Sequence, residues 1–355
     1  MNIVHCLFTM ETGGAQILAV DLLNEMSREH SVCLVIVNNK FNKNLLNQLN
    51  SGIHIFYINR KEGSRNPLPV IKLNLLLLKL RPDIIHCHEP HIGKLLHATK
   101  AKRLYTVHDV GLPTSSYRLY NRLIAVSEVI RKEVSAKSGL EVGKICNGIG
   151  IEFFKQRSVY SLGADETIRF VQVSRLFHEK KGQEILLHAL GVLKLAYLLP
   201  NFTIDFIGSG NSLTYLKALA EELGLASNVH FLGERDRKWL YQNLCSYHVL
   251  IQPSKYEGFG LTVIEGFAAG IPVLASNIDG PAEIITGTPG GFLFRNGDHN
   301  DCAQKLYRIV ELYRQQSIEK LMLETNLVIN QRYGISSCSN QYVEEYAKLS
   351  ITRQE

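Results

Sequence analysis

The stretch Ile168-Arg-Phe-Val-Gln-Val-Ser-Arg-Leu-Phe-His-Glu-Lys-Lys-Gly182-Gln-Glu-Ile-Leu-Leu-His-Ala-Leu190 decides the fold. A short β-branched run gives way to a basic loop, and Gly182 then opens a helical pattern that continues to Leu195. Strand, polar loop and longer helix form the repeating unit of parallel α/β layers. Here the unit restarts after an irregular stretch, Glu152–Glu166, because an earlier series has already closed. That earlier series predicts strands at Asn2–Phe8, Ser31–Asn38, His54–Asn59, Asp83–Cys87, Arg103–Val107, Leu123–Val126 and Lys144–Cys146, ending at the turn pair Asn147-Gly148. The second series continues through Phe202–Ile207, Val229–Leu232, His248–Gln252, Val273–Ala275 and Gly291–Phe294. The fold class is therefore α/β, with two doubly wound domains divided near residue 160. Ligands of such sheets bind beyond the carboxyl ends of the strands.

Length agrees: 355 residues suit two domains at roughly 100–200 residues each. A composition of 45% hydrophobic and 20% charged residues is ordinary for a globular chain and excludes disordered and fibrous classes. Seven scattered cysteines without a C-x-x-C pair suggest neither a disulfide framework nor a zinc site, so a reducing cytoplasm is expected. The opening MNIVHCLF is too short for a signal core and is followed by Glu11, so secretion is not expected. The apolar windows Ile71–Leu80 and Ile185–Leu199 carry charges and fall short of the roughly 20 residues of a membrane span. No basic stripe with interleaved aromatics points to nucleic acid.

Three segments carry the chemistry. Gly13-Gly14 lies between a strand and a helix, which fits an anion at a helix N-terminus and fits a plain tight turn equally well. It does not extend to G-x-G-x-x-G, and neither does Gly208-Ser209-Gly210, which disfavours a dinucleotide dehydrogenase. Arg175 and Lys181 flank the loop quoted above and suit a diphosphate, with Lys180 competing for the lysine position; a solvated basic loop is the plainer alternative. The segment Pro253-Ser-Lys-Tyr-Glu257-Gly258-Phe259-Gly260-Leu261-Thr262-Val-Ile-Glu265 places one carboxylate in a glycine loop and a second eight residues on, in a helix. Glu257 suits sugar hydroxyls, the Gly258–Thr262 backbone suits phosphate, and Glu265 suits the ribose diol.

With these segments in order, the sequence resembles glycosyltransferase family 4, the retaining transferases of GT-B fold. The resemblance runs through Gly13-Gly14, Asp83-Ile-Ile-His-Cys-His88, Thr106-Val-His-Asp109, Ala125-Val-Ser-Glu128, Asn147-Gly148, Ser174-Arg-Leu with Lys181-Gly182, Ile207-Gly-Ser-Gly210, Val229-His-Phe-Leu-Gly233, the Glu257/Glu265 segment and Ala269-Gly-Ile-Pro-Val273. It implies two Rossmann-like domains facing across a cleft: residues 1–160 for the acceptor, 161–335 for the nucleotide sugar, and a C-terminal helix, 336–355, crossing back to the first. It implies Arg175 and Lys181 on the diphosphate, Glu257 on the transferred sugar, Glu265 on the ribose, and the Phe231–Leu232 backbone near the base. Gly13, Gly14, Gly208, Gly258, Phe259, Gly260, Leu261 and Thr262 complete the donor site, and His108 faces the sugar as the second catalytic residue. Read without the resemblance, a histidine such as His108 is more often a packed or solvent-facing one. Departures are Ser174 for a common glycine, Gly150 for a common acid, and Lys-Lys for a single lysine.

No Asp-x-Asp pair follows a strand, and the histidines His86, His88 and His91 are not expected to hold a metal, so the expected transfer uses neither metal nor cofactor. The expected reaction moves a hexose or N-acetylhexosamine from a nucleotide sugar, UDP before GDP, to a lipid-linked saccharide in surface-polysaccharide assembly. A GT-B phosphorylase, an epimerase and a non-catalytic subunit are the alternatives. Acceptor residues are not assignable. Residues 1–160 carry 21 Lys and Arg against 12 Asp and Glu, and the excess around Arg60, Lys61, Arg65, Lys72 and Lys79 suits an anionic membrane surface. The protein is expected in the cytoplasm, peripheral on the inner membrane face.

Overall fold

A computed structural model describes residues 1–351 other than 12, 164, 165, 198 and 200. Two residues of the irregular stretch, 164 and 165, and the end of the C-terminal segment, 352–355, lie outside the described residues. The chain forms two compact units, Met1–Ile149 with Tyr333–Glu355, and Gly150–Arg332.

The first unit has a seven-stranded parallel sheet: β1 Asn2–Leu7, β2 Ser31–Asn38, β3 His54–Arg60, β4 Ile84–Cys87, β5 Lys102–Val107, β6 Arg122–Ala125 and β7 Val142–Lys144, in the order β3-β2-β1-β4-β5-β6-β7. The second has six: β8 Ile168–Val173, β9 Phe202–Ile207, β10 Val229–Gly233, β11 Val249–Gln252, β12 Val273–Ser276 and β13 Gly291–Phe294, ordered β10-β9-β8-β11-β12-β13. Strands covered on both faces read as continuous apolar runs; β2, Ser-Val-Cys-Leu-Val-Ile-Val-Asn, is buried in every residue but its first. Some helix starts are capped by a side chain. Ser127 accepts from the Ile130 N–H at 3.4 Å before the helix Glu128–Ser138, and Asp298 accepts from Asn300 and Asp301, each at 3.0 Å, before His299–Arg314.

The unit boundary lies at 149/150 rather than near 160, because the linking stretch is fastened to the second unit. The Lys155 and Arg157 N–H groups donate to the carbonyls of Tyr241 and Ala269 at 2.8 and 2.9 Å, and the Tyr160 hydroxyl donates to Gly270 O at 2.8 Å. Asn147-Gly148 is a close-packing site rather than a turn: a Cβ on Gly148 would lie 2.7 Å from Cys338 Cβ.

The last helix spans Ile335–Ile351, starting one residue before the expected 336, and belongs to the first unit. Tyr342 and Tyr346 are fully buried; the Tyr346 hydroxyl meets His86 Nδ1 at 2.6 Å and the Tyr342 hydroxyl meets Thr106 Oγ1 at 3.0 Å. Arg122 Nε donates to Glu345 at 2.7 Å.

At Gly182, φ is +64° and a Cβ would lie 1.9 Å from Pro253 O; Gly224 has φ +65° with nothing within 4 Å. Left-handed strain of ~1–2 kcal/mol is common to both, and only Gly182 adds a backbone collision. Gly224→Ala is expected to lower the melting temperature by about 2–4 °C per kcal/mol of that strain, and Gly182→Ala by at least twice the Gly224 loss. Equal losses in a calorimetric comparison would contradict the close approach.

Candidate active site

In the second sheet the chain winds one way from β8 and the other way from β11, so their adjacent carboxyl ends form the switch point where such sheets bind ligands. Two buried glutamines stand there, Gln172 ending β8 but one and Gln252 ending β11. Gln172 Nε2 donates to Lys181 O at 3.0 Å and Ser174 Oγ at 3.2 Å, while Gln183 Nε2 donates to Ser174 Oγ at 3.0 Å and Arg175 O at 2.9 Å. Gln252 Nε2 donates to Glu257 Oε2 at 3.3 Å and its oxygen accepts from Thr262 Oγ1 at 3.0 Å. The two loops are thereby held by amides that carry no charge.

Between those loops Lys181 Nζ donates to Glu257 Oε2, with both side chains mostly covered. The neighbouring lysines face elsewhere. Lys180 Nζ lies 4.7 Å from the centre of the half-exposed Tyr256 ring, and Lys255 pairs with Glu184 at 2.6 Å. Ser174, where the family pattern often has glycine, uses its hydroxyl as an acceptor for both glutamines. Arg175 is exposed just past β8, and among the described residues it makes no ion pair.

The loop Gly258-Phe259-Gly260 leads into the helix Leu261–Ala268, whose N-cap Gly260 has φ +100° and offers no side chain to the first N–H groups. Glu265 is partly buried in this helix. The Gly208 N–H donates to Gly233 O at 2.9 Å, and a Cβ on Gly208 would lie 2.0 Å from Ser174 O. At the end of β10 the pairing jumps from Phe231 to Gly233, leaving Leu232 outside the ladder with β9. Phe231 stacks on Phe206, centroids 5.2 Å apart.

In the first unit, Gly13 is the N-cap of the helix Gly14–Met26 in extended conformation and provides no side-chain cap. His108 follows β5. His88 Nδ1 meets His108 Nε2 at 3.1 Å, and His88 Nε2 meets His5 Nδ1 at 3.1 Å. His86 stacks on His88 with centroids 4.3 Å apart, and its nitrogens meet Tyr346 OH at 2.6 Å and Thr106 Oγ1 at 2.8 Å. His5, His86 and His88 place ligand-type nitrogens within 4.8 Å of one another, a grouping the sequence reading missed because His5 sits inside an apolar strand. His91 stands apart, meeting Ser116 Oγ at 3.0 Å. Glu89 was also missed; its carboxylate accepts from the Phe8 N–H at 3.1 Å.

Burial keeps the histidines neutral: it pushes His5 down to about 3 and His108 to about 4, the latter against the pull of Asp109. His86 and His88 fall well below the usual range through burial and then through their histidine neighbours. Burial pushes Glu89 up to about 8, partly offset by the Phe8 N–H.

An unfolded histidine protonates near 6.5 while these four stay neutral in the fold, so their contribution is complete above pH 6.5 and is lost as the pH falls towards about 4. Glu89 acts oppositely: its contribution is whole below about 4.5 and is lost as the pH rises through about 8. Four groups outweigh one, so the urea midpoint is expected to fall between pH 6.5 and 4.5 and to decline more gently towards pH 8. A midpoint flat from 4.5 to 6.5 would contradict the neutral cluster.

Residues 155–321 match the family described as Glycosyl transferases group 1, and residues 12–153 match Glycosyltransferase Family 4. The putative glycosyltransferase EpsD of Bacillus subtilis is 30% identical over 66% of this chain and 68% of that protein. An uncharacterized 41.2 kDa protein in the cps region of Klebsiella pneumoniae is 24% identical over 98% and 99%. An uncharacterized glycosyltransferase of Methanocaldococcus jannaschii is 25% identical over 65% of this chain, which spans 60% of that relative's length. The structure of Anabaena HepE in complex with UDP and glucose shares the fold, with a TM-score of 0.82 at 21% identity over 98% of this chain and 99% of that one. Two parallel Rossmann-like sheets, the ordered motifs and these matches together mean that the chain belongs to glycosyltransferase family 4, with the GT-B fold.

Proposed function

We propose that the chain moves a hexose or N-acetylhexosamine from a nucleotide sugar to a hydroxyl of a lipid-linked saccharide, with retention and without a divalent metal. The observation that carries this reading is the Lys181–Glu257 pair where β8 and β11 end, with Arg175 exposed on the same loop as Lys181. Departure of a nucleoside diphosphate builds negative charge, and preorganised cations and amides meet it without rearranging. An ammonium has three donors, so Lys181 can hold Glu257 and still donate to a phosphate oxygen. Arg175 adds a bidentate fork, and the uncapped N–H groups after Gly260 add a helix terminus. Glu257 orients the sugar, Glu265 the ribose diol, and the backbone at Phe231–Leu232, free of the ladder at Leu232, the base. Gly208 completes the donor site of the second unit; in the first unit the Gly13-Gly14 turn offers an uncapped helix start, and His108 is the residue assigned to the sugar.

The bond from anomeric carbon to diphosphate oxygen breaks with its electron pair leaving on the diphosphate. The acceptor oxygen bonds to the same face of that carbon, and its proton passes to an oxygen of the departing phosphate. UDP is favoured over GDP because the HepE relative of this fold was solved with UDP-glucose and with UDP. Lys181→Ala is expected to lower kcat by about 10²-fold or more, and Lys180→Ala by less than about threefold. Equal losses would sink the assignment. Transfer in excess chelator is expected to equal transfer without it; abolition by chelator with rescue by magnesium or manganese would overturn metal independence.

A lipid-linked acceptor is supported by the helix Leu68–Leu80. It exposes Leu68, Ile71, Leu75 and Leu78, between 50% and 66% accessible, along one stripe at helical spacing. Lys79, Lys61 and Arg65 are exposed on the same part of the unit. Arg60 and Lys72 are engaged by the protein, donating to Ser64 O and Tyr57 O, each at 2.7 Å. An apolar stripe with a cationic fringe suits the interface of anionic lipid at the inner face of the cytoplasmic membrane. The cps location of the Klebsiella relative accords with an acceptor from surface-polysaccharide assembly. Wild-type protein is expected to float with vesicles rich in phosphatidylglycerol at physiological salt, and the Ile71→Glu/Leu75→Glu variant to stay behind while transferring to a soluble acceptor. Wild type that stays behind would contradict the lipid surface.

A further inference from the structure

We infer that His88 and His5 are positioning residues that fix the tautomer of His108, placing its proton on Nδ1. The inference rests on the reading above in which His108 serves the donor sugar.

A neutral imidazole has one N–H and one bare nitrogen, and His5, His88 and His108 are joined in series at 3.1 Å per link. Fixing one ring therefore fixes all three. In one setting His5 Nδ1–H donates to His88 Nε2, His88 Nδ1–H donates to His108 Nε2, and His108 carries its proton on Nδ1. In the other every bond is reversed, and His5 ends the series with an N–H on Nε2.

The end of the series decides between them. His5 is fully buried, and among the described residues its Nε2 has no hydrogen-bond partner. A buried N–H without an acceptor is rarer and costs more than a bare acceptor left idle. The first setting leaves only a lone pair idle at that position, so it prevails. His88 then occupies His108 Nε2 as a donor, and Nδ1–H is the nitrogen left to donate to a sugar oxygen. This is the reverse of the tautomer that free histidine prefers, so it needs the imposed bond.

The rest of the cluster holds the series without joining it. His86 stacks against His88, 18° from parallel, while its own nitrogens are taken by Thr106 and by Tyr346 of the last helix. The cluster also invites a metal, yet five of the six nitrogens of His5, His86 and His88 already meet protein partners, and each of these contacts is used in the hydrogen-bonded reading.

The test is long-range 1H–15N correlation on the full chain with 15N-labelled histidine, His108 assigned by loss of its signal in His108→Gln. Wild type is expected to show the proton of His108 on Nδ1. His88→Ala, with folding checked by circular dichroism, is expected to move it to Nε2 and to lower kcat about tenfold with KM within twofold. His88→Asn, whose amide can donate from the position of Nδ1, is expected to keep both the tautomer and most of the rate. His5→Gln, separated from His108 by the His88 ring, provides a second variant should His88→Ala not fold, and is expected to reduce the Nδ1–H population. His108 protonated on Nε2 in wild type, or a tautomer unchanged in folded His88→Ala and His5→Gln, would overturn the inference. Because the tautomer is read without turnover, that failure is distinguishable from failure of the transfer reaction itself.

Discussion

Every strand pair in both sheets is parallel, and the consequence reaches each residue of functional interest. Parallel pairing forces each connection to cross a face of the sheet, so all carboxyl ends and the loops that leave them gather on one edge. Arg175 and Lys181 follow β8, Gly208 follows β9, Leu232 lies at the end of β10 and Glu257 follows β11. Residues up to 82 positions apart in sequence are collected by the sheet order alone, before any side-chain contact is made. The same rule in the first unit brings His88 after β4 beside His108 after β5.

What the backbone collects, buried neutral groups then hold. In the second unit the amides of Gln172, Gln183 and Gln252 brace the loops that carry Lys181 and Glu257. In the first, imidazoles perform that task, with Thr106 and the tyrosines of the last helix behind them. Neutral donors and acceptors suit this position: they fix geometry without the desolvation cost of a buried charge. Charge stands at the loops themselves, in Lys181 paired with Glu257 and in the exposed Arg175.

Much of this was legible in the sequence, for identifiable reasons. The bounds of β2, β9 and β13 are those read from the sequence; for β2 the reason is an unbroken apolar run, Val32–Val37, closed by Asn38-Asn39. The Glu257-to-Glu265 segment was legible because its glycines, carboxylates and helix start are contiguous. The helix Asp279–Ile285 is not evident from the sequence, because Gly280-Pro281 fill its first turn, where proline is tolerated. Ile318–Tyr333 was hidden because Leu323 and Leu327, 62% and 75% accessible, put leucine on its outer face and blur the period. His5, the bracing glutamines, and the distinction between Lys180 and Lys181 depend on register and side-chain direction across strands, which no local pattern carries.

Hydrogen-exchange mass spectrometry of the full chain with and without UDP tests the placement of the donor most directly. Protection is expected in the second unit at the loops that follow β8 and β9, at the end of β10, and from Gly258 through Glu265. No protection by UDP, or protection confined to segments away from these strand ends, would contradict a nucleotide-sugar site built on Lys181 and Glu257.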